Sequence, residues 1–309
     1  MDGVRRVHVT ALLVILLAMS AQRVTAQVSD VPYVPTPWNV VDAMLGIAKV
    51  GAGDYVIDLG SGDGRIVIAA AKKHGARGFG VDIDGALVDE AQREAQRQGV
   101  SDKVSFVTRN LFITDISKAT VITMYLFPQV NMRLRPRFLK ELKPGTRIVS
   151  HEFDLDEWQP DHKLTVPVPN KPYGSPSSEV FLWIVPADAA GTWRWRAEGA
   201  AHEDEISLRQ RFQLLEGDGR VAGRSARVSA GRVRGEEVRF TLVMQSDGRA
   251  VKQEFMGRIS GDAMRGTVVA GSAPSGRQEW QAVRTVRGSM GVSLQAPVAQ
   301  QMTIAEEQR

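Results

Sequence analysis

The sequence predicts an α/β domain with a doubly wound sheet across residues 27–190, followed by an antiparallel all-β meander or small barrel across residues 191–287. Three observations predict it. Short β-branched runs alternate with helical patterns as far as residue 153, which implies a parallel sheet with helices on both faces. Beyond residue 191, apolar and polar residues alternate between glycine-containing turn signals, the pattern of consecutive hairpins. A length of 309 residues also exceeds what one core usually serves.

Hydrophobic residues make up 43% and charged residues 24%, which excludes a disordered chain and leaves ample material for a core. The charge is uneven. Residues 28–190 carry 18 Lys+Arg against 20 Asp+Glu, whereas residues 191–287 carry 17 against 12, and 16 of those 17 cations are arginine. Acids are interspersed among them and no basic run occurs, so exposed strand cations are expected rather than a nucleic-acid surface. With no cysteine, disulfides, thiolate metal sites and cysteine nucleophiles are excluded. The five histidines show no metal-ligand spacing, so no metal is expected.

Arg5 and Arg6 precede an apolar run at residues 9–19 and a small-residue site, Val24-Thr25-Ala26, ahead of Gln27. These are the three parts of a secretory signal peptide, so residues 1–26 are expected to direct the chain to the periplasm or the medium. The run is shorter than the roughly 18 residues of a spanning helix, and no permanent membrane span is expected. Were the true start codon downstream, the protein would be cytoplasmic.

In the first domain YVIDL (55–59) opens the sheet and RIVIAAAKKHG follows as a helix, and ARGFGVDI (76–83) with GALVDEAQREAQRQG repeats the pair. KVSFVTR (103–109), TVITMYL (120–126) with a helix through Leu142, and TRIVSHEF (146–153) continue the parallel set. EVFLWIVP (179–186) follows without a helix and is expected as an antiparallel edge strand. Residues 166–178, rich in Pro, Ser and Gly, read as an extended loop, and PADAAGT (186–192) as a short inter-domain linker.

The segment Asp58-Leu59-Gly60-Ser61-Gly62-Asp63-Gly64 leaves a strand and enters a helix. Gly60 and Gly62 permit positive φ and close approach of backbone to a ligand, and Gly64 lets the helix start pack closely. A dinucleotide fingerprint needs a further glycine at 65 or 67, where Arg65 and Val67 stand, so the nicotinamide reading fails on spacing.

The segment resembles the [DE]-x-G-x-G-x-G loop of class I, seven-strand methyltransferases that use S-adenosylmethionine. PYVPTP (32–37), LGSGDGRIVIAAA, RNLF (109–112), YLFP (125–128), LKPGTRIVS (142–150) and the run from Trp158 extend the resemblance across residues 31–162. They are similar to a subgroup that includes mitochondrial protein-lysine methyltransferases of the ATP synthase c subunit and the adenine nucleotide carrier. The resemblance implies a Rossmann-like seven-strand sheet, with Asp58 near the cofactor's amino acid end and Gly60, Ser61, Gly62 and Gly64 against its sugar and methionine portion. It implies that Asp82, at the end of the second strand, holds both ribose hydroxyls, a task that two acceptor oxygens suit. Asp84 falls where the next helix begins and reads as its N-cap. Where the subgroup commonly has an acid after the third strand, this chain has Asn110, whose carbonyl can still accept from the adenine amine. Tyr33 and Thr36 match the lid over the cofactor, and Tyr125 stands where this fold meets its methyl acceptor.

His151 and Glu152 end the fifth strand, and either could serve as a general base. A partly exposed loop histidine without a catalytic part is the preferred reading of His151.

The second domain supplies no catalytic constellation. Its turn signals are EGDGR, SDGR, SGD and PSGR, its Gly-Arg pairs read as turns followed by exposed cations, and Trp193, Trp195 and Trp280 close the core. Residues 288–309 are expected to be a disordered tail.

Two functions compete. The first is an S-adenosylmethionine-dependent methyltransferase acting on a protein substrate, N-methylating a lysine side chain. The second is an exported envelope binding or scaffold protein that keeps the fold without catalysis. Neither the acceptor nor the oligomeric state is written in the sequence.

Overall fold

In the computed structural model, residues 33–291 are described except 173, 198–201, 247 and 271–275. The expected signal peptide and residues 292–309 of the expected tail lie outside the described residues. Gly288 and Gly291 lie within them and are tied back to the body of the protein. Their N–H groups donate to Ala190 O at 3.1 Å and Gln210 O at 2.8 Å.

The α/β half begins with helix α1 (Trp38–Ile47) and continues through β1 (Tyr55–Leu59), α2 (Arg65–His74), β2 (Arg77–Asp82), α3 (Gly85–Arg97) and β3 (Val104–Thr108). It then runs through β4 (Val121–Met124), α4 (Pro128–Glu141), β5 (Arg147–His151), β6 (His162–Pro167) and β7 (Ser177–Ile184). These strands form one sheet in the order β3-β2-β1-β4-β5-β7-β6. β1 to β5 pair in parallel, and β7 runs antiparallel to both β5 and β6.

The order reverses between β1 and β4, so the carboxyl ends of those strands are where an open α/β sheet takes its ligand. Burial explains the chain's choices. β1 and β4 are almost wholly buried and mostly apolar, as central parallel strands are, with Asp58 and Thr123 the polar side chains buried within them. One core cluster joins α1 and α2 through Val40, Met44, Leu45, Ile66 and Ala69 to Val56, Val121 and Val149 of the sheet. A second joins α2 and α3 through Val67, Ala71, Val88 and Ala91 to Phe106 of β3.

Two details depart from the sequence reading. The antiparallel strand is internal, and the edge is β6, an exposed strand that ends at Pro167. Polar side chains and a terminal proline suit a strand with one side unpaired. Between β3 and β4 the strict alternation lapses, because only a 3₁₀ turn (Leu111–Ile113) makes the crossover.

The second half is a closed antiparallel barrel of β8 (Gly191–Trp195), β9 (Asp204–Arg211), β10 (Leu214–Val221), β11 (Arg224–Arg234), β12 (Glu237–Ser246), β13 (Arg249–Ser260), β14 (Ala263–Ala270) and β15 (Arg277–Arg287). Closure removes every free edge. Its interior is filled by Trp193, Trp195, Phe240, Phe255, Met264 and Trp280, with Phe240 and Phe255 stacked at 4.9 Å.

The EGDGR segment is not a turn but part of β10. A Cβ at Gly219 would lie 2.0 Å from Glu205 O of the neighbouring strand, so the glycine serves close approach inside the barrel wall. The Gly-Arg pairs at 231 and 257 likewise lie within strands, whereas those at 223 and 248 follow the expected turn placement.

The linker is buried rather than solvated. Ala187, Ala189 and Ala190 are all at most 5% exposed. The Gln210 amide clamps them, accepting from Ala189 N at 2.6 Å and donating to Ala187 O at 3.0 Å. Where β9 turns into β10, Phe212 stacks on Trp158 of the α/β half, with centroids 5.6 Å apart and planes 5° apart. Arg211 pairs with Glu157 at 2.7 Å and Arg232 with Asp161 at 2.8 Å beside that stack. Replacing a fully buried aromatic side chain by alanine costs about 3–5 kcal/mol. Phe212→Ala is therefore expected to lower the stability of the full chain by that order in urea unfolding. A loss below about 1 kcal/mol would show that the two sheets do not depend on this contact.

Candidate active site

The loop after β1 is shaped by its own unpaired amides. Gly60 N and Ser61 N both donate to Val81 O of β2, at 2.8 and 3.0 Å, and Gly64 N donates back to Ser61 O at 2.9 Å. Gly62 N donates to Asp82 Oδ2 at 2.8 Å, and Asp84 N to Asp82 Oδ1 at 3.0 Å. Asp82 thus closes the loop while each carboxylate oxygen keeps further acceptor capacity. Gly60, Gly62 and Gly64 have φ of 77°, 52° and 77°. A Cβ at Gly62 would sit 2.6 Å from the Tyr33 ring, so this backbone is bare for close approach.

The other predicted residues occupy different stations. Asp58 is 2% exposed and accepts from Thr123 Oγ1 at 2.7 Å. Burial pushes its carboxyl up to about 7, against the Thr123 hydrogen bond and with help from the negative Asp82 and Asp63. Asp84 caps α3 through Ala86 N at 2.8 Å, as expected. Asn110 Oδ1 accepts from Phe112 N at 2.9 Å, which leaves one lone pair of that carbonyl for another donor. Ser61 is buried, its Oγ lying on Gly80, and its N–H and carbonyl oxygen bond Val81 O and Gly64 N.

Thr36 is also buried, and its hydroxyl is engaged by His151 Nδ1 at 3.2 Å. His151 departs most from its sequence reading. It is 1% exposed, not a loop residue, and its Nε2 lies 3.0 Å from Ser178 Oγ and 3.6 Å from Glu152 Oε1. The Tyr125 ring covers it with centroids 4.0 Å apart. Burial pushes the imidazole down to about 4, Glu152 opposing and Lys171 adding to the fall. Burial raises the pKa of Glu152, but hydrogen bonds from Lys171 and Ser178 carry it below the ordinary value.

Sequence reasoning passed over Arg65, which stands where a dinucleotide loop would carry glycine. Its guanidinium grips Asp63 at 2.6 Å, donates to Thr36 O at 2.8 Å and lies 5.2 Å from the Trp38 ring. The arginine of GSGDGR thereby pins the lead-in segment across the glycine loop. Its spacing from Asp63 was the available signal.

A strand-end acid, a bare glycine backbone and a second carboxylate braced by amides fit a small cofactor with a charged amino acid end and a ribose diol. Among the described residues no cluster of His, Asp or Glu is placed to hold a metal ion. No described helix is long and apolar enough to cross a membrane. Fold and site define an S-adenosylmethionine-dependent methyltransferase.

Residues 58–162 match the model of the ANTKMT methyltransferase domain. The chain is 46% identical to a protein-lysine N-methyltransferase of Saccharolobus islandicus, over 51% of this chain and 96% of that protein. It is 32% identical to the human lysine N-methyltransferase of the ATP synthase c subunit, over 48% of this chain and 64% of that protein. A crystal structure described as an RNA methyltransferase from Salinibacter ruber in complex with S-adenosyl-L-homocysteine is 50% identical, covers 49% of this chain and 93% of that chain, and has a TM-score of 0.45. The chain belongs to the methyltransferase family that the Saccharolobus relative represents.

The shifts of Asp58 and His151 act in opposite directions on stability. Asp58, raised from 3.8 to about 7, stays protonated in the fold when the unfolded chain has lost that proton. Its contribution therefore declines as pH rises through that window, on the order of 4 kcal/mol in all. His151, lowered from 6.5 to about 4, stays neutral in the fold while the unfolded chain takes up a proton. Its contribution grows as pH rises from about 4 to 6.5, on the order of 3 kcal/mol. Asp58→Asn removes only the first effect. Its stability relative to the parent chain is expected to climb between about pH 4 and pH 7 in urea unfolding, and a pH-independent offset would contradict the assignment.

Proposed function

We propose that the protein N-methylates lysine side chains of a protein substrate and does so after export. The observation that carries the first part is the 46% identity across nearly the whole of the Saccharolobus protein-lysine N-methyltransferase. The charged n-region, apolar run and small-residue site of residues 1–26 support the second. A mature chain beginning at Gln27 in the periplasmic fraction is the expected result of fractionation, and a full-length cytoplasmic chain would refute export.

In this reading Asp82 takes the ribose hydroxyls on oxygens already oriented by the amides of Gly62 and Asp84. Asp58 faces the amino acid end, the backbone of Gly60, Gly62 and Gly64 bounds the cofactor, and Asn110 meets the adenine. Tyr33 lies on Gly62 as a cover, and Thr36 holds that cover to His151. When bound, S-adenosylmethionine supplies an electrophilic methyl group on a sulfonium. The chain's own contribution is alignment of the acceptor and exclusion of water. The acceptor amine must be neutral to react, so it would lose its proton to bulk solvent on the way in, and the carbon–nitrogen bond would form as the methyl–sulfur bond breaks and a neutral thioether leaves. Tyr125, beyond the carboxyl end of β4, adjoins that path.

Each charge-assisted hydrogen bond is worth about 1.5–3 kcal/mol, so Asp82→Ala is expected to weaken cofactor binding roughly 100-fold in calorimetry. An unchanged Kd would place the cofactor elsewhere. Because Asp58 is protonated below about 7 in the free protein, cofactor affinity is expected to tighten as pH rises toward 8. The Asp58→Asn variant should bind weakly with a flat profile over the same range. For the acceptor, the full chain is incubated with methyl-labelled cofactor and a cell-envelope extract, and the labelled protein is hydrolysed. Methyl-lysine is the expected product, and label confined to other residues or to RNA would sink the lysine reading.

A further inference from the structure

The end of β5 holds a strained turn that the cofactor-facing residues do not require. Glu152 has φ of 66°, and Phe153 N donates to His151 O at 2.9 Å, which makes a γ-turn of the rare positive-φ kind. A glutamate pays conformational energy there, and strain of this sort persists only where the surroundings enforce it. Here they do. Glu152 is ion-paired with Lys171, Ser150 Oγ donates to Phe153 O at 2.5 Å, and Asn131 Nδ2 donates to the same carbonyl at 3.3 Å.

What the turn achieves is the position of one ring. Phe153 lies 6.4 Å from Tyr125 with planes 21° apart, and 6.2 Å from Phe127 in an edge arrangement. None of the three is fully buried, and Phe127 is 39% exposed, whereas Leu126 and Leu155 beside them are buried. The group adjoins the glycine loop, since a Cβ at Gly60 would meet the Leu126 side chain at 2.7 Å.

We propose that Tyr125, Phe127 and Phe153 form the acceptor subsite, an aromatic wall that takes the alkyl stem of the substrate lysine and retains its ammonium as methyl groups accumulate. This rests on the lysine reading above. Ring faces attract cations but accept hydrogen bonds poorly, so a strongly hydrated primary ammonium gains little there. Each added methyl group weakens hydration and adds contact with the rings, which favours a methylated lysine over an unmethylated one. The imidazole beneath Tyr125 is sealed from solvent by Thr36 and Ser178, which keeps a competing charge from that face.

The test uses the full chain loaded with S-adenosyl-L-homocysteine and the blocked amino acid Nα-acetyl-Nε-trimethyl-lysine methylamide, with the norleucine analogue as neutral control. Saturation-transfer NMR is expected to show the trimethylammonium resonance binding the parent chain and the control binding far more weakly. Phe153→Leu keeps apolar bulk without a ring face and is expected to weaken binding about tenfold, with the cofactor Kd unchanged as the check on folding. Phe153→Trp is expected to restore binding. Equal binding by the leucine variant, or none by the parent chain, overturns the subsite. The hydrolysate experiment reports separately on the lysine reading, so methyl-lysine formed by a protein whose probe binding ignores Phe153 would refute this inference alone.

Discussion

The site depends on how one loop satisfies its backbone amides. Between the buried strand β1 and helix α2 the chain turns through Gly60 to Gly64, and each N–H withdrawn from water needs an acceptor. β2 provides them through Val81 O and the Asp82 carboxylate. The loop is therefore an extension of the β1–β2 pairing and inherits its register, Leu59 opposite Val81. The amides of Gly62 and Asp84 fix the orientation of the Asp82 carboxylate, and each oxygen keeps further acceptor capacity.

A second set of contacts draws the lead-in segment onto the same strand ends. Arg65 reaches from the start of α2 to Thr36 O, and the Thr36 hydroxyl reaches His151 at the end of β5. His151 in turn supports Tyr125 and meets Ser178 of β7. Four segments far apart in sequence meet at one neutral imidazole. The lead-in segment and the ends of β4 and β5 are thereby joined through one side chain, with Thr36 on one side of the imidazole and the Tyr125 ring on another.

The glycine loop and the cap at Asp84 were legible in the sequence because their requirements are local, whereas Asp82 was singled out by the family resemblance, since its contact with the loop joins residues 20 apart. The burial of His151 was not legible, because it comes from Thr36, 115 residues earlier, and Ser178, 27 residues later. In the barrel, alternation correctly implied hairpins. EGDGR misled because glycine serves a turn and a close strand approach equally well, and only the neighbouring strand distinguishes them. The burial of the linker was not legible, because it depends on Gln210, 21 residues beyond Ala189 and 23 beyond Ala187.

That buried linker bears on how the protein can be divided. The Saccharolobus relative is covered almost completely by half of this chain, so a methyltransferase of that length exists alone. Cutting after Ala190 would bare the Trp158 face and strip Ala189 N and Ala187 O of the Gln210 amide that satisfies them. The barrel thus covers part of the α/β half, and its removal would turn the buried Trp158 face into exposed apolar surface.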